Sequence, residues 1–145
     1  MTTAYPPALA ARVGFMLAQA HMAARARADR ALDRLGLTAN KFAALATLAS
    51  EGPVSQQRLS RRLRVDPATM VDVIDDLEES GYVQRRRNPE DRREYALHLT
   101  ARGRALYARA ERAIIEMDRE TVRDLDARER RTLMELLGRI ADPER

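Results

Sequence analysis

The sequence predicts a mainly α-helical fold with a small β-wing: a helix-turn-helix and hairpin held between long N- and C-terminal helices. Three observations carry this reading. Between positions 55 and 79, two amphipathic helical stretches are separated only by Arg64 and Val65, as short a link as a helix-turn-helix requires. After Gly81 the apolar period changes from helical to alternating, the mark of a hairpin. Long helical patterns flank this segment on both sides.

Positions 1–7 read as a loose leader. From 8 to 35 runs one long helical pattern with Gly14 as its only internal breaker, a stripe including Leu9, Val13, Met16, Leu17, Leu32 and Leu35, and many alanines; Gly36 ends it. Such a helix packs against more than one neighbour. Thr38 is the next N-cap, with Leu37 and Phe42 at the spacing of a hydrophobic staple. This helix runs to about Ser50 and stops at Glu51-Gly52-Pro53, and Val54 is a one-residue strand placed to pair with the wing.

The first helix of the central pair opens at Ser55 and buries Leu59 and Leu63. The second starts at Asp66, whose carboxylate suits the N-cap, with Pro67 at the first helical position, where no amide donor is needed. Met70, Val73, Ile74 and Leu77 form one face, and Gly81 takes the residue past the C-cap. Tyr82, Val83 and Gln84 are strand-like and lead into Arg85, Arg86 and Arg87; Asn88-Pro89-Glu90-Asp91 is turn chemistry. Tyr95, Leu97 and Leu99 then alternate with Glu94, Ala96 and His98 as a half-buried strand. Thr100 caps a helix reaching about Asp124, with Leu106, Ala110, Ala113, Ile114, Met117 and Val122 on its apolar side. Asp126 and Glu129 form a capping box for a last helix lined by Leu133, Leu136, Leu137 and Ile140 and ended at Pro143.

The formal net charge is only +4, and its distribution is the informative part. Positions 55–64 hold four arginines (Arg58, Arg61, Arg62, Arg64) and no acid; positions 84–104 hold seven arginines against three acids. Between them, positions 66–79 carry Asp66, Asp72, Asp75, Asp76, Glu78 and Glu79 and no base. Arginine clustered on a helix and a hairpin tip is the footprint of a polyanion, although a charged run alone is as often a solvated face. Absent cysteine excludes disulfides and thiolate metal sites, and no apolar run nears the ~20 residues of a membrane span, so a cytoplasmic protein with no membrane partner is expected. No His/Asp/Glu cluster has metal spacing, no serine has a His and acid context, and no glycine-rich loop precedes a helix, so neither a cofactor, a metal nor an enzymatic activity is expected.

The run from Leu77-Glu78 through Gly81-Tyr82-Val83 and Arg85 to Asp91-Arg92-Arg93, Leu97, Leu99-Thr100 and Gly103 resembles the MarR family of transcriptional regulators over essentially the whole chain. The resemblance implies a winged-helix homodimer that binds palindromic double-stranded operator DNA, usually as a repressor. A small phenolic or amphipathic effector often releases it. It implies one domain over 1–145, with 8–35 and 100–142 for dimerisation and 37–99 for DNA binding. Arg93, with Arg92 beside it, would enter the minor groove, and Asp91 would orient the arginine. Ala68 and Thr69 would touch bases, and Gln56, Arg58, Arg61, Arg62 and Arg86 would meet phosphates. His21, Arg25 and Phe42 would line an effector cleft, unless His21 simply packs between the two copies.

The chain departs from the family pattern in the second helix of the pair. Val71, Asp72 and Asp76 stand where polar and basic residues are usual, so Asp75 and Asp76 are expected to pair with Arg58, Arg61 or Arg62. If instead the acids face outward unpaired, the alternative is a dimer that serves as a protein-interaction or ligand-binding module with weak DNA affinity.

Overall fold

The computed structural model describes residues 4–91 and 93–141. In chain order its elements are α1 (Pro7–Ala10), α2 (Val13–Asp33), α3 (Ala39–Glu51), β1 (Val54–Ser55), α4 (Gln56–Leu63), α5 (Pro67–Glu79), β2 (Val83–Arg87), β3 (Tyr95–Leu99), α6 (Ala101–Thr121) and α7 (Ala127–Ala141). The strands form one antiparallel sheet in the order β1-β3-β2, with Val54 opposite Leu97 and Gln84 opposite His98. The architecture is the expected helical one with a small wing.

Local chemistry sets the boundaries. The hydroxyls of Thr38, Ser55 and Thr100 accept from the N–H groups of Lys41 (3.3 Å), Arg58 (3.2 Å) and Gly103 (3.0 Å), and the Asp66 carboxylate accepts from Thr69 N–H at 2.9 Å. Asp126 and Glu129 cap reciprocally: Glu129 accepts from Asp126 N–H and Asp126 from Glu129 N–H. At the end of α5, Tyr82 N–H donates to Leu77 C=O and Gly81 N–H to Glu78 C=O, while Gly81 takes φ +76°. That is the left-handed turn a glycine permits.

One core joins the helices to the sheet. Leu32 (α2), Leu45 (α3), Leu59 (α4), Met70 and Ile74 (α5), Val83 (β2) and Leu97 (β3) are fully buried together. The wing is locked onto α6 at Gly103, where an added Cβ would collide with the Tyr82 carbonyl and lie 2.7 Å from the Leu99 side chain. Thr100 completes the joint by donating its hydroxyl to Gly81 C=O at 2.7 Å. The spacing Leu97, Leu99-Thr100, Gly103 therefore has a packing reason: two buried leucines, a cap, and a residue without a side chain.

Four expectations need correction. The first long helix is broken: Arg12 is extended (φ −101°, ψ 114°), so α1 turns back on α2. The leader is not loose there, because the Tyr5 hydroxyl donates to Gln19 at 3.1 Å and the Tyr5 ring meets Phe15 edge-on at 5.2 Å. The sixth helix stops at Thr121 rather than Asp124. Tyr95 turns outward, 48% exposed, with the Arg87 guanidinium 5.6 Å from its ring centre. On α7, the apolar face is not covered within the protomer: Met134 is 70% exposed, Leu136 45% and Ile140 59%. The expected stop at Pro143 lies outside the described residues.

Candidate nucleic-acid interface

Burying Met70, Val73, Ile74 and Leu77 turns the opposite side of α5 to solvent. With 3.6 residues per turn, that side carries Ala68, Asp72, Asp75 and Glu79, all exposed. Asp76 and Thr69 flank it toward α3, Val71 flanks it toward α4, and Glu78 toward the wing. The surface expected to face DNA therefore has a small N-terminal end and an acidic middle.

Most of those acids are already held, and not by the expected partners. Asp75 pairs with Arg85 at 2.6 Å, and Asp76 with Lys41 at 2.9 Å. Arg58, Arg61 and Arg62 take neither; Arg62 pairs with Glu51 at 2.6 Å. The reason is stacking: β2 runs beside α5, and Arg85 shares the inward side of that strand with buried Val83. Arg85 ties three elements together. Its Nη1 donates to the Glu78 carboxylate, its Nη2 to Asp75 and to the Gln56 carbonyl (3.0 Å), and its backbone N–H to Glu78 at 2.8 Å. That backbone bond leads the effects that hold Glu78 below the usual carboxylate range, with the guanidinium adding to it against the cost of burial. With Asp66 used as a cap, only Asp72 and Glu79 of the six acids lack an ion pair or hydrogen bond among the described residues.

The expected phosphate residues fall into two sets. Arg58 and Arg61 lie exposed on α4, and Arg86 lies exposed on β2 with its Nε donating to Gln84 at 3.0 Å. Gln56 and Arg62 are engaged within the protein. At the wing tip, the Asn88 side chain accepts from Glu90 N–H and Asp91 from Arg93 N–H, each at 3.0 Å. Asp91 thus fixes the turn through the Arg93 backbone rather than through its guanidinium. Arg93 is exposed beside a recess lined by Gln56, Gln57, Arg85 and Tyr95; Arg92 lies outside the described residues. His98, half-buried on β3, is held below its ordinary pKa first by burial and then by Arg86, which favours the neutral ring.

Of the expected base contacts, Ala68 is exposed and Thr69 half-buried at the start of α5. Of the three expected effector residues, His21 and Arg25 lie one turn apart on α2, and Phe42 lies on α3. His21 is exposed, Phe42 stacks on Tyr107 at 6.0 Å, and Arg25 lies 3.9 Å from Asp29 in a recess that also includes Thr38, Lys41, Asp72 and Asp76. Sequence reasoning missed Lys41 and Arg85. Arg85 left a signal: it alternates with Val83 on the buried side of a strand, directly after a helix rich in acids.

A family model described as "MarR family" matches residues 37–95. The chain is 32% identical over 130 residues to an HTH-type transcriptional repressor of Mycobacterium bovis, covering 90% of this chain and 94% of that protein. A crystal structure of a transcriptional regulator from Pseudomonas aeruginosa superposes with a TM-score of 0.83 at 33% identity, over 91% of this chain and 98% of that one. A Bordetella bronchiseptica protein, BpsR, matches with a TM-score of 0.86 at 27% identity, over 95% of this chain and 99% of its own; its DNA binding is regulated by 6-hydroxynicotinic acid.

Proposed function

This chain belongs to the MarR family of winged helix-turn-helix transcriptional regulators, and from that premise we propose that it binds palindromic operator DNA as a homodimer and represses transcription until a small ligand releases it. Family members are regulators rather than enzymes. The observation that carries the DNA reading is the placement of charge: Arg58, Arg61, Arg86 and Arg93 stand exposed around α5, while Arg85 and Lys41 hold three of its outward or flanking acids. The pairing of Asp75 and Asp76 also removes much of the case for a purely protein-binding module, which needed those acids free. Arg93 supplies the minor-groove contact, Ala68 and Thr69 approach bases, and Arg58, Arg61 and Arg86 neutralise phosphates.

The dimer reading rests on apolar surface left open by the protomer. Val13 on α2, Ile115 on α6 and Met134 and Ile140 on α7 are all exposed. Exposed apolar side chains on these terminal helices are what a partner protomer would cover, and a two-fold dimer places two reading heads about one DNA turn apart. The dimerisation part is 8–35 with 100–142, and the reading part is 37–99. The ligand reading follows the Bordetella relative, whose ligand is a small aromatic acid by name. In this chain Arg25 and Lys41 line one recess together with Asp29, Asp72 and Asp76, and a ligand carboxylate would be held there by taking Arg25 from Asp29 or Lys41 from Asp76. Among the described residues no helix is long and apolar enough to cross a membrane.

The test is affinity for a duplex from the region upstream of the protein's own gene against a random duplex, at two salt concentrations. Nanomolar binding with clear preference for the upstream fragment is expected. Weak, sequence-blind binding that disappears with salt would overturn the reading. A ligand screen repeated on Arg25→Ala should show weakened ligand-induced release, and unchanged release would remove Arg25 from the ligand site.

A further inference from the structure

We infer that Asp72 is the residue of α5 that selects the operator sequence, accepting a hydrogen bond from the exocyclic amine of a cytosine in each half-site. The inference rests on the DNA-binding reading above and names what the helix reads.

The geometry leaves one acid for the task. Three residues of the outward stripe of α5 are acidic, and Asp75 is tied to Arg85. Glu79 is the last residue of the helix, about 10 Å beyond Asp72 at 1.5 Å per residue. A recognition helix contacts base edges with its N-terminal residues, so Glu79 stands away from the bases. Asp72 lies one turn after Ala68, whose methyl group leaves room for close approach to the groove. Asp72 is exposed and has no ion pair or hydrogen bond among the described residues. Asp72 borders the recess that holds Arg25 and Lys41, but both cations already have partners, Arg25 with Asp29 and Lys41 with Asp76.

Base chemistry then decides the partner. In the major groove guanine presents O6 and N7 and thymine presents O4; all are acceptors and repel a carboxylate. Adenine offers an amine, but beside the N7 acceptor. Cytosine offers N4–H₂ with an acceptor on one side only, the O6 of its paired guanine, whereas adenine N6 lies between N7 and thymine O4, so cytosine is the base a carboxylate can take. The same negative charge is repelled by phosphates wherever that cytosine is missing. Asp72 thus works against non-specific binding as well as for the correct site.

The experiment is selection from a random duplex pool by the full-length protein, by Asp72→Asn and by Asp72→Ala. Because the side chain is exposed, both variants should melt as the wild type does, and this is checked first. The wild type is expected to enrich sites with a fixed cytosine in each half-site, favoured about tenfold over the other bases. Asp72→Asn should replace that cytosine with adenine, whose N6 and N7 suit an amide, and leave the other positions alone. Asp72→Ala should lose preference at that position only. If the wild type selects a site and both variants select the same one, the assignment of Asp72 is wrong while the DNA-binding reading stands. If the wild type enriches no sequence, that reading fails, and this inference fails with it.

Discussion

The recognition helix and the wing lie side by side and carry opposite charge. Positions 66–79 hold six acids and no base, whereas the strand that follows ends in Arg85, Arg86 and Arg87 and its turn leads to Arg93. The difference teaches a division of labour. Arginines that meet phosphates and a narrow minor groove give affinity to nearly any duplex. A carboxylate in the major groove gives none, but it penalises wrong bases. Arg85 joins the two regions: it belongs to the wing by sequence and to the helix by its contacts, pairing with both Asp75 and Glu78 and offsetting one of their two charges.

The comparison breaks most completely if the wing loses its seat. Gly103→Ala places a methyl group against the Tyr82 carbonyl, a backbone atom that cannot swing away. A loss of about 3 kcal/mol or more is expected from overpacking at so rigid a point, read by denaturant unfolding. Unchanged stability would show the joint to be looser than the structure has it.

Arg85→Ala comes next. It leaves Asp75 and Glu78 without their cation and frees Gln56. The Arg85 side chain is 26% exposed, so the cost falls below that of a fully buried pair, at about 2 kcal/mol. DNA affinity should fall further than stability explains, because an unpaired Asp75 then faces the duplex. Arg93→Ala should leave the fold intact and reduce affinity about tenfold, with the salt slope lower by about one unit; titrations at several salt concentrations read both.

Acid separates the regions more gently. Glu78 has its pKa depressed in the folded protein, chiefly by the Arg85 backbone N–H. A depressed carboxylate contributes stability that is complete above its unfolded value and lost as pH falls through its folded one. Melting temperature should therefore drop as pH falls through and below the ordinary glutamate range, and Glu78→Gln should remove part of that drop. The smallest effect is expected in the turn between α4 and α5, where Arg64 is held in the left-handed region at φ 52°. Arg64→Gly relieves that strain against glycine's greater chain entropy, a net gain of about 0.5 kcal/mol, seen as a slight rise in melting temperature.

What the sequence made legible was local chemistry. Thr38, Ser55, Asp66, Thr100 and the Asp126–Glu129 box announce their helices because a cap and its amide are three residues apart. The alternation of Tyr95, Leu97 and Leu99 gave the strand, though not the outward turn of Tyr95. What stayed hidden depends on distant partners. No breaker sits at Ala11–Arg12; the bend follows from Tyr5 reaching Gln19 and Phe15. The acids of α5 found Arg85 and Lys41 rather than the α4 arginines because the hairpin and α3 both pack against α5, a fact of tertiary packing. Asp91 was legible as important to the wing, and its contact proved to be the nearest amide, as short carboxylates in turns commonly choose.

The division of labour is tested most directly by measuring wild type, Arg93→Ala and Asp72→Ala against the preferred site and against random duplex under one salt condition. Arg93→Ala should weaken both in similar proportion, leaving their ratio nearly unchanged. Asp72→Ala should tighten binding to random duplex and shrink the ratio about tenfold. A ratio that collapses with Arg93→Ala and survives Asp72→Ala would contradict the account, placing sequence selection in the wing rather than in the acidic helix.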